Sequence, residues 1–426
     1  MNIKKYIKEI IGLERSSKIK GLIYHYGYNC LFLLSSIKKL YWNNENIVLY
    51  KKLTDSNYHI FRGYYDIDYL NEEKNYFLCH RVTTKSEKKN ELCDIGYFDL
   101  NNDTYIKIDQ TYAWCWQQGS RLRWNPLNSE EVLFNSIEND QYCTKIFNII
   151  RKENIYTIKR PLYDITNDMR FGISINFSRL QRLRPGYGYD YLPDLTMNQN
   201  APKNDGIYLV DIKKNKSTLL YSLYDLAIKV DLKLEFQHYI NHISISPDGN
   251  HFMFFHIYKS KLTKGWNTVL YISDMLGHKL IELERVDRCS HYCWINNEEL
   301  MVTCRKENGE EYYCIYNIHT LKKKFLNIEE LKFDGHPVFL RKNKSFITDT
   351  YPQKYGFQSI YNFKLNSNYI TKIIQVYHDF RLRGERRCDL HPSISSNEKY
   401  FSIDSTYQYK RRSTLIFKFR KDKDNG

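Results

Sequence analysis

The sequence predicts an all-β fold, a seven-bladed β-propeller with a short N-terminal helical extension. Three observations predict it. Four histidines, His242, His291, His336 and His391, open four consecutive units at intervals of 49, 45 and 55 residues. A period of roughly 40–50 residues is that of one four-stranded blade. Each histidine starts a β-like run that a polar turn separates from a second apolar run. The turns are Pro247-Asp248-Gly249-Asn250, Asn296-Asn297-Glu298, Arg341-Lys342-Asn343-Lys344 and Ser396-Asn397-Glu398-Lys399. Such clusters between β-rich runs are hairpin signals. The second runs end at His256, Cys304, Asp349 and Asp404, 13 or 14 residues beyond their histidines. Composition agrees: 38 Tyr and 22 Phe suit pleated, half-buried strands. Only 9 Pro and 18 Gly leave little room for a long disordered linker.

From the N-terminus, residues 1–45 read as a basic extension. Lys and Arg interleave there with Ile3, Tyr6, Ile7, Ile10 and Ile11, close to helical spacing. The segment is expected either to pack on the propeller as a helix or to make peripheral membrane contact as an amphipathic anchor. Its apolar run at residues 30–34 is shorter than the ~18 residues of a membrane span, and no signal-peptide cleavage site follows it. Residues 46–426 form the propeller. Ile47-Val48-Leu49-Tyr50 is placed to supply an outer strand to the last blade and close the ring. The first blade begins at Tyr65-Asp66, turns at residues 71–74 and ends at Cys79-His80-Arg81. The second follows Gln118-Gly119 with Arg121-Leu122-Arg123-Trp124 and then Val132-Leu133-Phe134. The third starts near Phe171-Gly172-Ile173-Ser174 and carries an insertion from about Gln181 to Asp205. The four histidine units complete seven.

The first strand of each propeller blade lines the central channel, so four imidazoles at one blade-relative position converge on a channel mouth and mark a site. The loop Arg381-Leu382-Arg383-Gly384-Glu385-Arg386-Arg387 precedes His391, and arginine forks match carboxylates or phosphates. The net charge of +15 does not point to nucleic acid, because basic residues are spread over all repeats and no nucleic-acid motif is present. Asp349 and Asp404 occupy matching strand ends and are expected to tie neighbouring blades together rather than to act as a catalytic pair. Ten cysteines show no CxxC framework, which predicts reduced thiols in a cytoplasmic protein, membrane-associated if residues 1–45 act as an anchor. Cys289 and Cys293 flank His291 and offer an unusual zinc arrangement.

Short motifs carry a family resemblance. Asn241-His242-Ile243-Ser244-Ile245-Ser246-Pro247-Asp248-Gly249, Ser290-His291 with Trp294, and Asp334-Gly335-His336-Pro337 with Asp349 resemble blades of oligogalacturonate lyases. The chain also resembles propeller proteins of bacterial surface-polysaccharide gene clusters. The shared segments there are Gly63-Tyr64-Tyr65-Asp66, Trp116-Gln117-Gln118-Gly119, Asn176-Phe177-Ser178-Arg179-Leu180, Arg184-Pro185-Gly186-Tyr187-Gly188-Tyr189 and Cys388-Asp389-Leu390-His391-Pro392. The resemblance implies a carbohydrate-active protein that takes an acidic oligosaccharide or polysaccharide, cleaved by β-elimination with a divalent, Mn-type metal. Carried over residue by residue, it makes His242 the catalytic base and His291, His336 and His391 the metal ligands. Only His336 stands where the lyases have a Gln/His/His cluster. Gln118, Arg179, Trp294 and Arg387 are the substrate-binding candidates, with Tyr187 and Tyr189 as flat faces for a sugar. The alternatives are a glycosyltransferase-like activity and a non-catalytic glycan-binding or scaffold role in polysaccharide biosynthesis.

Overall fold

The computed structural model describes Gly27 and residues 40–420, apart from 86–90, 232–233, 261–266, 307, 327, 354–355, 366–369, 380 and 409–410. Seven antiparallel sheets follow one another along the chain. Blade 4 shows the pattern, with strands Gln237–Ile245, His251–Lys259, Asn267–Asp274 and Leu280–Val286 in spatial order. Its two inner strands are buried along almost their whole length, and its outer strand is only partly buried. This explains Phe252-Met253-Phe254-Phe255: a strand covered on both faces is apolar without alternation. The turn before it closes as expected, with Gly249 in the left-handed region (φ 75) and Ser246 Oγ donating to Asp248.

The ring closes as the sequence predicts. Ile47–Leu53 is the outer strand of blade 7, beside Ser413–Phe419, Tyr400–Ser405 and Ser393–Ile394, in the register Ile47↔Phe419 to Leu53↔Thr414. The extension boundary at residue 46 needs correction. Leu40–Trp42 is a strand, paired with Ile370–Tyr377 as a fifth strand of blade 6. Alternation explains it: Leu40 is buried in the core between blades 6 and 7 and Tyr41 faces out. Apart from Gly27, residues 1–39, and with them the expected helix and membrane contact, lie outside the described residues. Among the described residues no helix is long and apolar enough to cross a membrane.

Blade 1 also differs from expectation. It begins at Tyr58–Phe61, not at Tyr65, and its inner edge resumes at Leu70–Asn71. Residues 62–69 leave the sheet between these pieces and form a strap across the channel, where Tyr64 and Tyr65 meet rings from blades 4 to 7. Gly63 starts the strap at φ 122, and a Cβ there would lie 2.9 Å from the Gln118 carbonyl oxygen. Arg62 anchors it with no solvent exposure. All five guanidinium donors are used, by Asp404, Ser393 Oγ, Ser402 Oγ and the carbonyls of Leu390 and His391. Asp404 also accepts the Arg62 backbone N–H. Asp349 does the equivalent one blade earlier, accepting the His391 N–H at 3.0 Å. Both aspartates therefore tie blades together, as expected.

Helices α1 (Phe177–Leu183) and α2 (Leu223–Lys229) flank blade 3. Asn176 caps α1, and a Ser222/Asp225 capping box starts α2, satisfying N–H groups that the first turn cannot pair. Helix α1 begins before the expected insertion and opens the segment between strands Phe171–Ser174 and Gly206–Asp211, beside the start of the inner strand of blade 4.

Two predictions concern closure and acid stability. Asp404→Ala strands a buried guanidinium, so urea melts should show a loss of about 3–5 kcal/mol. His80 Nε2 accepts the Ser120 N–H and His59 Nδ1 accepts that of Arg412, which requires unprotonated nitrogens. Burial lowers His80 to about 4 and, with Arg412, His59 to about 3. These folded-state values lie below the unfolded value, so the unfolded chain binds more protons as pH falls. Stability should then drop from about pH 6.5 to about pH 4, by up to ~1.4 kcal/mol per pH unit per histidine. Thermal melts across this range should show a smaller drop for His80→Gln.

Candidate functional site

Three of the four histidines sit on irregular backbone. His242 and His391 have left-handed backbone angles, φ 58 and φ 46. The register skips between Asn241 and Ile243 and between Cys289 and His291. Such bulges re-aim a side chain, and a left-handed non-glycine residue stores strain of about 1–3 kcal/mol that its surroundings must hold. Arg121 in blade 2 repeats the conformation at φ 56. Its guanidinium grips Asp66 with two bonds and donates to the Tyr163 carbonyl, so that position serves the strap.

The rings form a continuous cluster. Centroids lie 5.9 Å apart for His242–His291, 3.9 Å for His291–His336 and 4.3 Å for His336–His391. Each Nδ1 is held from behind. That of His291 donates to Asp334 at 2.8 Å. That of His336 donates to Asp349 at 2.8 and 2.9 Å, and that of His391 to the Gly63 carbonyl at 2.9 Å. His242 Nδ1 lies 3.1 Å from Tyr64 Oη, whose ring stacks on the imidazole. The opposite nitrogens are largely unanswered. Among the described residues, Nε2 of His242, His336 and His391 is buried with no hydrogen-bond partner, and His291 Nε2 has Tyr351 Oη at 3.5 Å. Neutral rings that donate through Nδ1 present lone pairs at Nε2.

Electrostatics keep most of the rings neutral. Burial, then His336, lowers His291 to about 4. Burial is also the first cause that holds His242 and His391 well below the usual range, with Arg184 next for one and His336 for the other. His336 differs. Burial pulls it down, but the charge and hydrogen bond of Asp349, with Asp389 and Asp334, raise it above its ordinary value. Asp334 stays well below the carboxylate range, because His291, Arg288 and Ser290 outweigh its burial.

A divalent metal fits these residues. Ligand atoms of His336, Asp389 and His391 all lie within 4.8 Å of one another, the one such group among the described residues. Imidazoles anchored through Nδ1 to carboxylate or carbonyl are the usual supported ligands of such ions. The structure thus brings two of the three predicted ligands, His336 and His391, together and adds Asp389, while His291 stands beside the compact group. Asp389 also receives both forks of Arg387 at 2.7 and 2.6 Å. The Cys289/Cys293 zinc arrangement does not form: Cys289 Sγ lies 3.2 Å from Cys304 Sγ on the neighbouring strand.

The cluster is inside the channel, not at its mouth as expected; all four rings are at most 2% exposed. Cavities open on either side. One, of about 640 Å³, is lined by Arg184, Lys259, Arg288, Arg387, Tyr187 and Tyr351. Tyr187 also contacts His242, and Tyr351 contacts His291 and His336. The other, of about 840 Å³, holds Trp294, Trp124 and the acids of the strap. The predicted substrate residues therefore separate. Arg387 lines the basic cavity and Trp294 the opposite one. Gln118 is buried and donates to Tyr163 Oη at 2.8 Å, lining neither cavity. Arg179 is spent on the carbonyls of His238, Thr196 and Asn200 and braces the insertion. Tyr189 is core, stacked on Phe177 at 4.3 Å. Sequence reasoning missed Tyr64, Arg184, Lys259, Arg288, Tyr351 and Asp389 as site residues. Only Tyr64, Arg184 and Asp389 lie in motifs it had marked.

Comparisons with known proteins bear on the fold. No family model matches the chain, and no curated protein matches its sequence. Among solved structures, an oligogalacturonate lyase from Vibrio parahaemolyticus is similar over 89% of this chain and 97% of its own. The TM-score is 0.59 and the identity 11%. Hydrazine synthase from Kuenenia stuttgartiensis has a TM-score of 0.46 and 12% identity, over 83% of this chain and 95% of that one. At 11% identity the likeness to the lyase supports the fold alone, a seven-bladed propeller.

Asp349→Asn should lower the titration midpoint of His336 in metal-free protein, because the charge that raises it is gone. Imidazole NMR over pH 5–8 reads the change, and an unmoved midpoint would contradict the assigned cause.

Proposed function

We propose that this protein is a carbohydrate-active propeller that takes an acidic glycan in the basic cavity and acts on it at a histidine-held divalent metal by β-elimination. One observation carries the reading: four imidazoles, each with a partner at Nδ1, converge beneath a cavity walled by arginines and a lysine, and Nε2 of His242, His336 and His391 has no partner among the described residues. Likeness in fold to an oligogalacturonate lyase supports it.

His336, His391 and Asp389 would hold the metal, with His291 beside them. When bound, the ion supplies a positive charge that stabilises negative charge developing at a carboxylate. The chain's own groups do the rest. Arg184, Arg288 and Arg387 attract and orient the uronate. His242, neutral at pH 7, accepts the proton from the carbon next to the carboxylate. The C–H electron pair becomes the new double bond, the glycosidic C–O bond breaks, and the leaving oxygen takes a proton from water. With Nδ1–H donating to Tyr64 Oη, Nε2 is the accepting atom. Tyr187, which packs against His242, must turn aside to admit the sugar.

A second reading is a glycan-binding protein without catalysis. Its supporting observation is the 1% exposure of His242 behind Tyr187. The two separate in one experiment. Purified protein incubated with Mn²⁺ and oligogalacturonate should develop the ultraviolet absorbance of an unsaturated uronate. His336→Ala should lose both stoichiometric metal, by elemental analysis, and product, with a rate drop of 100-fold or more. Binding without product in the wild type would establish the second reading. Absence of metal from the wild type after reconstitution would defeat the first.

A further inference from the structure

Lys259 ends the second strand of blade 4 and lines the basic cavity. Its Nζ donates to the carbonyl of Leu183, the last residue of α1, at 2.6 Å, and lies 5.9 Å from the Tyr239 ring centre. An ammonium has three N–H donors. Among the described residues, the Leu183 carbonyl is the hydrogen-bond acceptor it finds, and no carboxylate lies within ion-pair distance. Two neighbouring cavity cations are different: Arg387 is forked onto Asp389 and Arg288 is paired with Glu311. The charged groups that face Lys259 from α1 and its C-terminal cap are Arg182 and Arg184, both cationic. Across the cavity stand Arg288, Arg387, Asp334 and Glu385. Asp334 is already engaged by His291, and Glu385 accepts from Gln181.

A half-buried cation beside two others, with no anion of its own, is electrostatically incomplete. We propose that Lys259 is the anion-reading residue of the cavity, supplying the counter-charge to one oxyanion of the bound ligand, the carboxylate of a uronic acid. The sugar identity rests on the function proposed above; the oxyanion contact does not. Specificity follows from the same geometry. A neutral sugar leaves the ammonium uncompensated, whereas an oxyanion satisfies its two open N–H donors. Burial, together with Arg182 and Arg184, lowers the Lys259 pKa, so the charge that reads the ligand is lost at a lower pH than for an exposed lysine.

The test is calorimetric titration of the full chain with galacturonate, with inorganic phosphate as a second oxyanion and galactose as the neutral control. Galacturonate is expected to bind at least tenfold tighter than galactose. Lys259→Met, which keeps the aliphatic stem, should lose at least tenfold in galacturonate affinity and leave galactose unchanged. Lys259→Arg should keep the affinity and hold it to higher pH than the wild type. Phosphate binding as tight as galacturonate would overturn the carboxylate assignment. Three results overturn the anion-reading role: equal affinity for galacturonate and galactose, a Lys259→Met chain within twofold of wild type, or a Lys259→Arg chain with an unmoved alkaline limb. The last decides the matter if Lys259→Met does not fold, as thermal melts will show. Metal content of Lys259→Met should equal that of the wild type, so failure here is distinct from failure of the histidine-held metal.

Discussion

One buried carboxylate joins two blades and aims two imidazoles. Asp349, 1% exposed, accepts the backbone N–H of His336, its Nδ1–H, and the backbone N–H of His391. Hydrogen bonds to a charged group contribute about 1.5–3 kcal/mol each, and this residue takes donors from blades 6 and 7 together. Asp404 repeats the reach from blade 7 to blade 1, where Arg62 answers it. Ring closure and site geometry thus use one device, a carboxylate at the end of a second strand extending to the first strand of the next blade. A change at Asp349 acts on the seam and on the cluster directly, and a change at Asp404 acts on the seam and, through Arg62, on the strap.

The cluster itself is costly to assemble. Four imidazoles in sequential contact, nearly without solvent, cannot all carry charge, and burial holds three of them far below their usual range. His336 is the exception because Asp349 faces it directly. Near neutral pH three of the rings are neutral, while Asp349 favours the charged form of His336. Left-handed backbone at His242 and His391 adds strain, which the strap and its neighbours hold in place. Tyr64 does so from within the channel, at 4.9 Å from His391 and 5.4 Å from His242 between ring centres.

The two channel ends differ in charge. On the α1 side, Arg184, Lys259, Arg288 and Arg387 gather around one opening; on the other, Asp66, Asp68, Glu72 and Glu73 come from the strap and the turn after it. The two openings therefore differ in the sign of their clustered charge, and low-dielectric walls strengthen the attraction of the basic one for anions.

Local pattern was enough for the repeat. Histidine spacing, hairpin turns and apolar second runs reveal seven blades, the closing strand at residues 47–50 and the blade-tying role of Asp349 and Asp404, because these depend on residues within one or two strands of each other. The histidines were legible as a set for the same reason. Depth along the channel was not. Gln118, Arg179, Trp294 and Arg387 share plausible chemistry, yet they sit in a core pocket, a loop brace and two opposite cavities, since strand order specifies the blade and not the height or direction of a side chain. Nor could spacing show that the blade 3 segment opened by α1 brings Arg184 and Tyr187 beside Arg387 two hundred residues later, with Gln181 bonded to Glu385. Periodicity records which face of a strand is buried; which distant loops meet over a channel is settled by packing around the closed ring.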